Sequence, residues 1–240
     1  MAFKSIQRYL KELLHLHSNL GSSLSGKDAA LLAKNSNNST NSHTEIFRPY
    51  ERVQFDGHMI DALFSVVSYT PQGDKIVTLM NRLWLLAIID VASRAILGYH
   101  ISYNSHNYSA NDVITCFKKT LMPWEPKNLK IPTLKYNAED GFPSYFIEKA
   151  KFGVWDEICF DNAKAHSANI VLDSLQGLNC AVNFGPVANP TLRGIIERFF
   201  GTLEHNNFHR LPSTVGSNVL DPKRDNAEEK AVAYEITVDN

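Results

Sequence analysis

The sequence predicts an α/β fold, a mixed five-stranded sheet flanked by helices. Three observations lead there. The elements read in the order β-β-β-α-β-α-β-α from residue 48 onward. A short connection, Val91–Arg94, joins the second and third strands as a hairpin, whereas the later strands alternate with helices. The chain has 240 residues, 44% hydrophobic and 20% charged, which suits one sizeable domain with extra arms.

Ahead of that core, Ile6, Leu10, Leu13 and Leu14 recur at helical spacing, and a second short helix is expected over Gly26 to Lys34. The polar stretch 35–43 has no apolar period and reads as a flexible linker. We therefore expect an N-terminal helical arm and linker over 1–47, a core over 48–210 and an irregular extension over 211–240.

Within the core, a first strand is expected over about Arg52–Val67, with an irregularity near Gly57. Thr70-Pro71-Gln72-Gly73-Asp74 forms a turn. The second strand is the apolar run Leu83–Ile89, ending at Asp90, and the third is Ala95–Tyr103. Ser109 is placed to cap a helix that turns Val113, Ile114, Phe117 and Leu121 inward. Residues 122–155 hold four prolines and read as a long insertion. Then come a strand over Glu157–Phe160, a helix over Ser167–Gln176 and a strand over Cys180–Phe184. Asn189 and Pro190 suit the N-cap and first position of a last helix running to about His209. Another helix can start near Asn226.

Bulk properties exclude several classes. There is no apolar run of the length a membrane span needs, and the N-terminus leads into an amphipathic helix rather than a signal peptide. Cys116, Cys159 and Cys180 lack metal-type or disulfide-type spacing and read as buried thiols of a cytoplasmic protein. A net charge of −1 and a pI near 6.8 argue against gripping nucleic acid by charge alone.

Three acids carry the chemistry. Asp56 follows the extended run Arg52-Val53-Gln54-Phe55, Asp161 closes Glu157-Ile158-Cys159-Phe160, and Glu197 sits in the last helix, with 35 residues between it and Asp161. Carboxylates are hard oxygen ligands suited to magnesium or manganese, and two such ions can clamp the attacking and leaving oxygens of a phosphodiester. Other acids compete. Asp61 reads as structural or solvated, Asp90 as a hairpin-turn acid paired with Ser93 or Arg94, and Glu204 as a surface acid. His166 reads as a helix-start residue, with a ligand role as the alternative. Arg193 is a phosphate contact or an ion-paired side chain.

Four segments carry a family resemblance: Gln54-Phe55-Asp56-Gly57; Ile88-Ile89-Asp90-Val91-Ala92-Ser93-Arg94-Ala95-Ile96-Leu97-Gly98; Phe160-Asp161-Asn162-Ala163; and Pro190 through Phe199 with Arg193-Gly194 before Glu197. They resemble the catalytic core of the DDE transposase and retroviral integrase superfamily, most closely the Mu and TnsB-like bacterial transposases. The likeness spans about residues 50–210. Two departures stand out. Asp161-Asn162-Ala163 replaces the frequent Asp-Asn-Gly, and Arg193-Gly194 replaces Lys-Gly, which keeps the charge but changes the geometry of a phosphate contact.

The resemblance implies a ribonuclease H-like fold and an enzyme that hydrolyses phosphodiesters at DNA ends, then joins the 3′-OH to target DNA. It implies Asp56, Asp161 and Glu197 as ligands of two Mg2+ or Mn2+ ions. Asn162, His166 and Arg193 are expected near substrate. The expected partners are transposon ends, target DNA, further copies of the chain and other transposition proteins, at bacterial DNA in the cytoplasm and with no membrane. The rival readings are a ribonuclease H-like nuclease without strand transfer and a non-catalytic DNA-binding or assembly module.

Overall fold

The computed structural model describes residues 46–80, 82–104, 106–129, 135–161, 168–184, 193–216 and 221–238, all in the unit that runs from Ile46 to Asn240. The expected N-terminal helices and linker, and the Asn189–Pro190 helix start, lie outside these residues.

Strands β1 (Arg52–Met59), β4 (Trp84–Asp90), β5 (Ile96–Ser102), β6 (Glu157–Cys159) and β7 (Ala181–Asn183) form one sheet in the order β5-β4-β1-β6-β7. β4 pairs antiparallel with both β1 and β5. β6 runs parallel to β1, and β7 parallel to β6. The fold is the expected ribonuclease H-like mixed sheet flanked by helices.

Alternation along the strands gives the sheet two apolar faces. On one face Val53, Phe55, Leu86 and Ile88 pack with Val113 and Phe117 of α1 (Ala110–Leu121) and with Val171 and Leu175 of α3 (Asn169–Gly177). On the other face Leu85, Ala87 and Ile89 meet Ile196 and Phe200 of α4 (Gly194–Asn206). At Gly98 an added Cβ would lie 2.4 Å from Thr120 Oγ1, so β5 and α1 pack too closely there for any side chain.

α1 starts as expected. Ser109 caps it, its hydroxyl accepting from Asp112 N, while the Asp112 carboxylate accepts from Ser109 N at 2.8 Å. Asp90 also behaves as expected. It is fully buried, and its carboxylate accepts from Ser93 N at 2.7 Å, from the Ser93 hydroxyl at 2.6 Å and from Tyr50 N at 2.8 Å. The three thiols are free and buried, and burial pushes Cys116 up to about 12 and Cys159 and Cys180 up to about 11.

Two expectations need correction. The single strand over Arg52–Val67 is two strands in two sheets. β1 ends at Met59, and β2 (Phe64–Tyr69) pairs antiparallel with β3 (Lys75–Met80), a strand the sequence reading missed. The break falls where Asp61 and Ala62 engage distant residues: Thr214 Oγ1 and Val215 N both donate to Asp61 O, and Ala62 bridges Thr214. Within the expected insertion, α2 (Pro143–Phe146) is followed by a 3₁₀ turn, Glu148–Ala150. Trp124 meets Tyr136, Phe142 and Tyr145 edge to face there. The last core helix stops at Asn206, and a separate 3₁₀ turn covers Phe208–Arg210.

In the extension the helix expected to start near Asn226 forms. α5 (Ala227–Ala233) lies against the β2–β3 hairpin, Ser65 N donates to Ile236 O at 2.7 Å, and Lys75 Nζ pairs with Glu235. No described helix is long and apolar enough to cross a membrane.

Candidate functional site

The site is built on β1. Residues two apart on a strand share a face, and Gln54, Asp56 and His58 all turn toward α4. Gln54 is buried, and its Oε1 accepts from Ile196 N at 3.0 Å. That bond satisfies one of the backbone donors every helix leaves open in its first turn. It fixes the start of α4 on the strand that carries Asp56.

Asp161 comes from the neighbouring strand. β6 pairs with β1 in the register Arg52↔Glu157, Val53↔Ile158, Gln54↔Cys159. Two residues further, the same offset sets Asp56 beside Asp161. Both carboxylates lie on one atom: Arg193 Nη1 is 3.9 Å from Asp56 Oδ2 and 3.6 Å from Asp161 Oδ2. The two acids expected to act together, 105 positions apart in sequence, thus converge on a single cation. Asp56 Oδ1 also accepts from Gly57 N at 2.8 Å.

Arg193 occupies the N-cap position of α4, and Glu197 lies in its first turn. Residues four apart on a helix are neighbours on one face, so Glu197 stands one turn beyond Arg193, exposed, without a hydrogen bond or ion pair among the described residues. Asn162 and His166 lie outside the described residues.

Tyr108 is a site residue that the sequence did not single out. It is buried, and its ring sits so close to Gly57 that an added Cβ would come within 2.4 Å of Cε1. Trp84 holds the ring edge to face at 5.2 Å. Burial, and then the negative charges of Asp161 and Asp56, push its hydroxyl well above the usual tyrosine range, against the opposing effect of Arg193. Tyr108 therefore stays a protonated phenol beside the carboxylate pair. No short motif marks it; only its place just before the Ser109 cap sets it there.

The donors at this point are the carboxylate oxygens of Asp56 and Asp161, from two neighbouring strands. An all-oxygen set of that charge matches magnesium or manganese rather than a softer metal. That the two carboxylates already flank a guanidinium fits a place for positive charge.

Residues 59–213 match the family model of the TnsB C-terminal domain. The chain belongs to that family. The match takes in Asp161, Arg193 and Glu197 and begins three residues past Asp56. This TnsB-family chain is 30% identical over 139 residues to the transposase for transposon Tn552 of Staphylococcus aureus, covering 58% of the chain but 24% of that relative. It thus spans about a quarter of the relative's length. Among solved structures it is similar to the HTLV-2 integrase catalytic core domain in complex with magnesium (14% identity, 77% of this chain and 83% of that one, TM-score 0.37). It is also similar to the catalytic domain of Mos1 mariner transposase (16% identity, 72% and 66%, TM-score 0.39).

Proposed function

We propose that this chain is the catalytic core of a DNA transposase that cuts phosphodiesters at DNA ends and joins the freed 3′-OH to target DNA. The convergence of Asp56 and Asp161 on Arg193, at the helix start that carries Glu197, is the observation that supports it most.

Asp56, Asp161 and Glu197 would hold two Mg2+ or Mn2+ ions. When bound, these supply Lewis-acid activation of the attacking hydroxyl and charge stabilisation at the leaving 3′ oxygen. Gln54 keeps the helix bearing Glu197 in register with the strand bearing Asp56. Arg193 neutralises the carboxylate pair and, once released from it, is within reach of a DNA phosphate. Tyr108 offers a hydroxyl donor that stays protonated at neutral pH. Asn162 and His166, close after Asp161 in the chain, would orient substrate.

With a net charge of −1, affinity for transposon ends and target DNA rests in good part on further copies of the chain and other transposition proteins. The test is a strand-transfer assay with a pre-cut 3′-OH donor in Mg2+ or Mn2+, run on the wild type and on Asp161→Asn. The expected result is joined product from the wild type and neither cleavage nor joining from the variant, which melts close to the wild type. Cleavage without joined product would make it a hydrolytic nuclease. Loss of the variant's folded state would make Asp161 structural, and no metal-dependent reaction at all would leave a non-catalytic DNA-binding or assembly module.

A further inference from the structure

A second cluster lies at the far end of α4. Sequence reading made Glu204 a surface acid; it is buried, with its side chain 7% exposed. Its Oε1 accepts from His58 Nε2 at 2.8 Å and from Asp61 N at 2.9 Å. Asp61 Oδ1 pairs with Arg82 Nη2, and Arg82 also donates to Ile60 O at 2.9 Å and Met59 O at 3.2 Å. Each carboxylate therefore spends one oxygen on protein donors. The second oxygens, Asp61 Oδ2 and Glu204 Oε2, face His209 Nε2 at 3.5 and 3.6 Å.

Those separations exceed the 2.7–3.2 Å range of N–H···O hydrogen bonds. Glu204 Oε2 and His209 Nε2 are buried with no hydrogen-bond partner among the described residues. Leaving a carboxylate oxygen buried and unpaired is costly. One ligand atom from each of Asp61, Glu204 and His209 lies within 4.8 Å of the other two. Ligands held at about 2.1 Å in a tetrahedron stand about 3.4 Å apart, close to the two separations seen.

We propose that Asp61, Glu204 and His209 form a structural site for a first-row divalent ion, zinc in the first place, distinct from the Asp56–Asp161 centre. One imidazole and two carboxylates favour zinc over magnesium or calcium. His58, stacked on Phe200 at 5.0 Å and bonded to Glu204, orients one ligand, as outer partners of metal carboxylates do. Arg82 neutralises part of the charge. The site has a use in the fold, because it ties the exit of β1 to the end of α4 and to the 3₁₀ turn Phe208–Arg210. The ion would lock together the two elements that carry Asp56 and Glu197.

The experiment is zinc titration of the EDTA-treated full chain, followed by isothermal calorimetry and by the visible spectrum of the Co2+-loaded protein. Expected are one zinc per chain, a rise in melting temperature and tetrahedral Co2+ bands, all kept in Asp161→Asn and lost in His209→Gln. His58→Ala should weaken zinc about 10- to 100-fold. Should His209→Gln fail to fold, Asp61→Asn, which keeps the side-chain shape, takes its place. No stoichiometric zinc binding by the wild type, or equal binding by the folded ligand variants, overturns the proposal. Loss of zinc in Asp161→Asn would assign the ion to the other centre and overturns it too.

Discussion

Gln54 Oε1 accepts the backbone N–H of Ile196 at 3.0 Å, joining residues 142 positions apart in the buried seam between β1 and α4. The bond lies two residues from Asp56 and next to Glu197. Whatever loosens it moves one acid relative to the other.

Gln54→Leu keeps the volume but leaves the Ile196 N–H buried without an acceptor. The expected cost is about 1–3 kcal/mol, read as a lower urea midpoint. Activity is expected to fall by more than the lost folded fraction, because the surviving folded molecules carry a misplaced α4. Activity that simply tracks the folded fraction would show that Gln54 only stabilises.

Arg193 shares its charge between Asp56 and Asp161. Arg193→Ala leaves two part-buried carboxylates facing each other in metal-free buffer. A loss of about 1 kcal/mol is expected, modest because these side chains are part exposed. Added Mn2+ should restore the melting temperature of this variant by more than it raises the wild type. An equal response of the two proteins would separate Arg193 from the carboxylate pair.

Gly57 is required by contact, since a methyl there meets the Tyr108 ring at 2.4 Å. Gly57→Ala should cost about 1–3 kcal/mol through overpacking and displace the phenol. Tyr108→Phe keeps the ring packed on Gly57 and Trp84 and removes only the hydroxyl. It should melt near the wild type while weakening the metal-dependent reaction. Thermal melts of the two variants, with the strand-transfer assay, distinguish packing from chemistry.

The α1 cap makes a pH prediction. Burial pushes the Asp112 carboxyl up, but hydrogen bonds from the Ser109 backbone and hydroxyl, with those from His100 and Ser102, outweigh it and hold the group below its ordinary 3.8. A depressed folded value means that the stabilisation is complete above 3.8 and disappears as pH falls through the folded value. Asp112→Ala should therefore cost about 1 kcal/mol at neutral pH, and the gap to the wild type should close in acid. Denaturant melts at several pH values check this, and a gap that stays constant would contradict it.

Much of the core was legible because local chemistry decides it. The apolar run ending at Asp90, the hairpin held by Ser93 and the Ser109 cap each carry their own signal within a few residues. Asp161 stood out because it closes a mostly apolar run, and Asp56 because it follows an extended one. What was not legible depends on residues far away. Alternation continues through Ile60 and Phe64, so nothing local shows that β1 stops; Thr214 and Val215 stop it by binding Asp61. Glu204 shares a flank of α4 with the exposed Glu197, and only the turn bearing His209 and the β1 exit bury it. Tyr108 enters the site through its contact with Gly57, which no spacing encodes.

The β2–β3 hairpin has a consequence for chain length. Two strands alone are marginally stable in water, and this pair leaves Val66, Tyr69, Ile76 and Leu79 exposed. Its added support comes from the Ser65–Ile236 hydrogen bond, the Lys75–Glu235 pair and α5. Hairpin and C-terminal helix therefore form one cooperative unit. A protease cut anywhere between Asp225 and Ile236 would remove that support from the hairpin and expose an apolar ribbon with unpaired edges, so the cleaved chain is expected to aggregate.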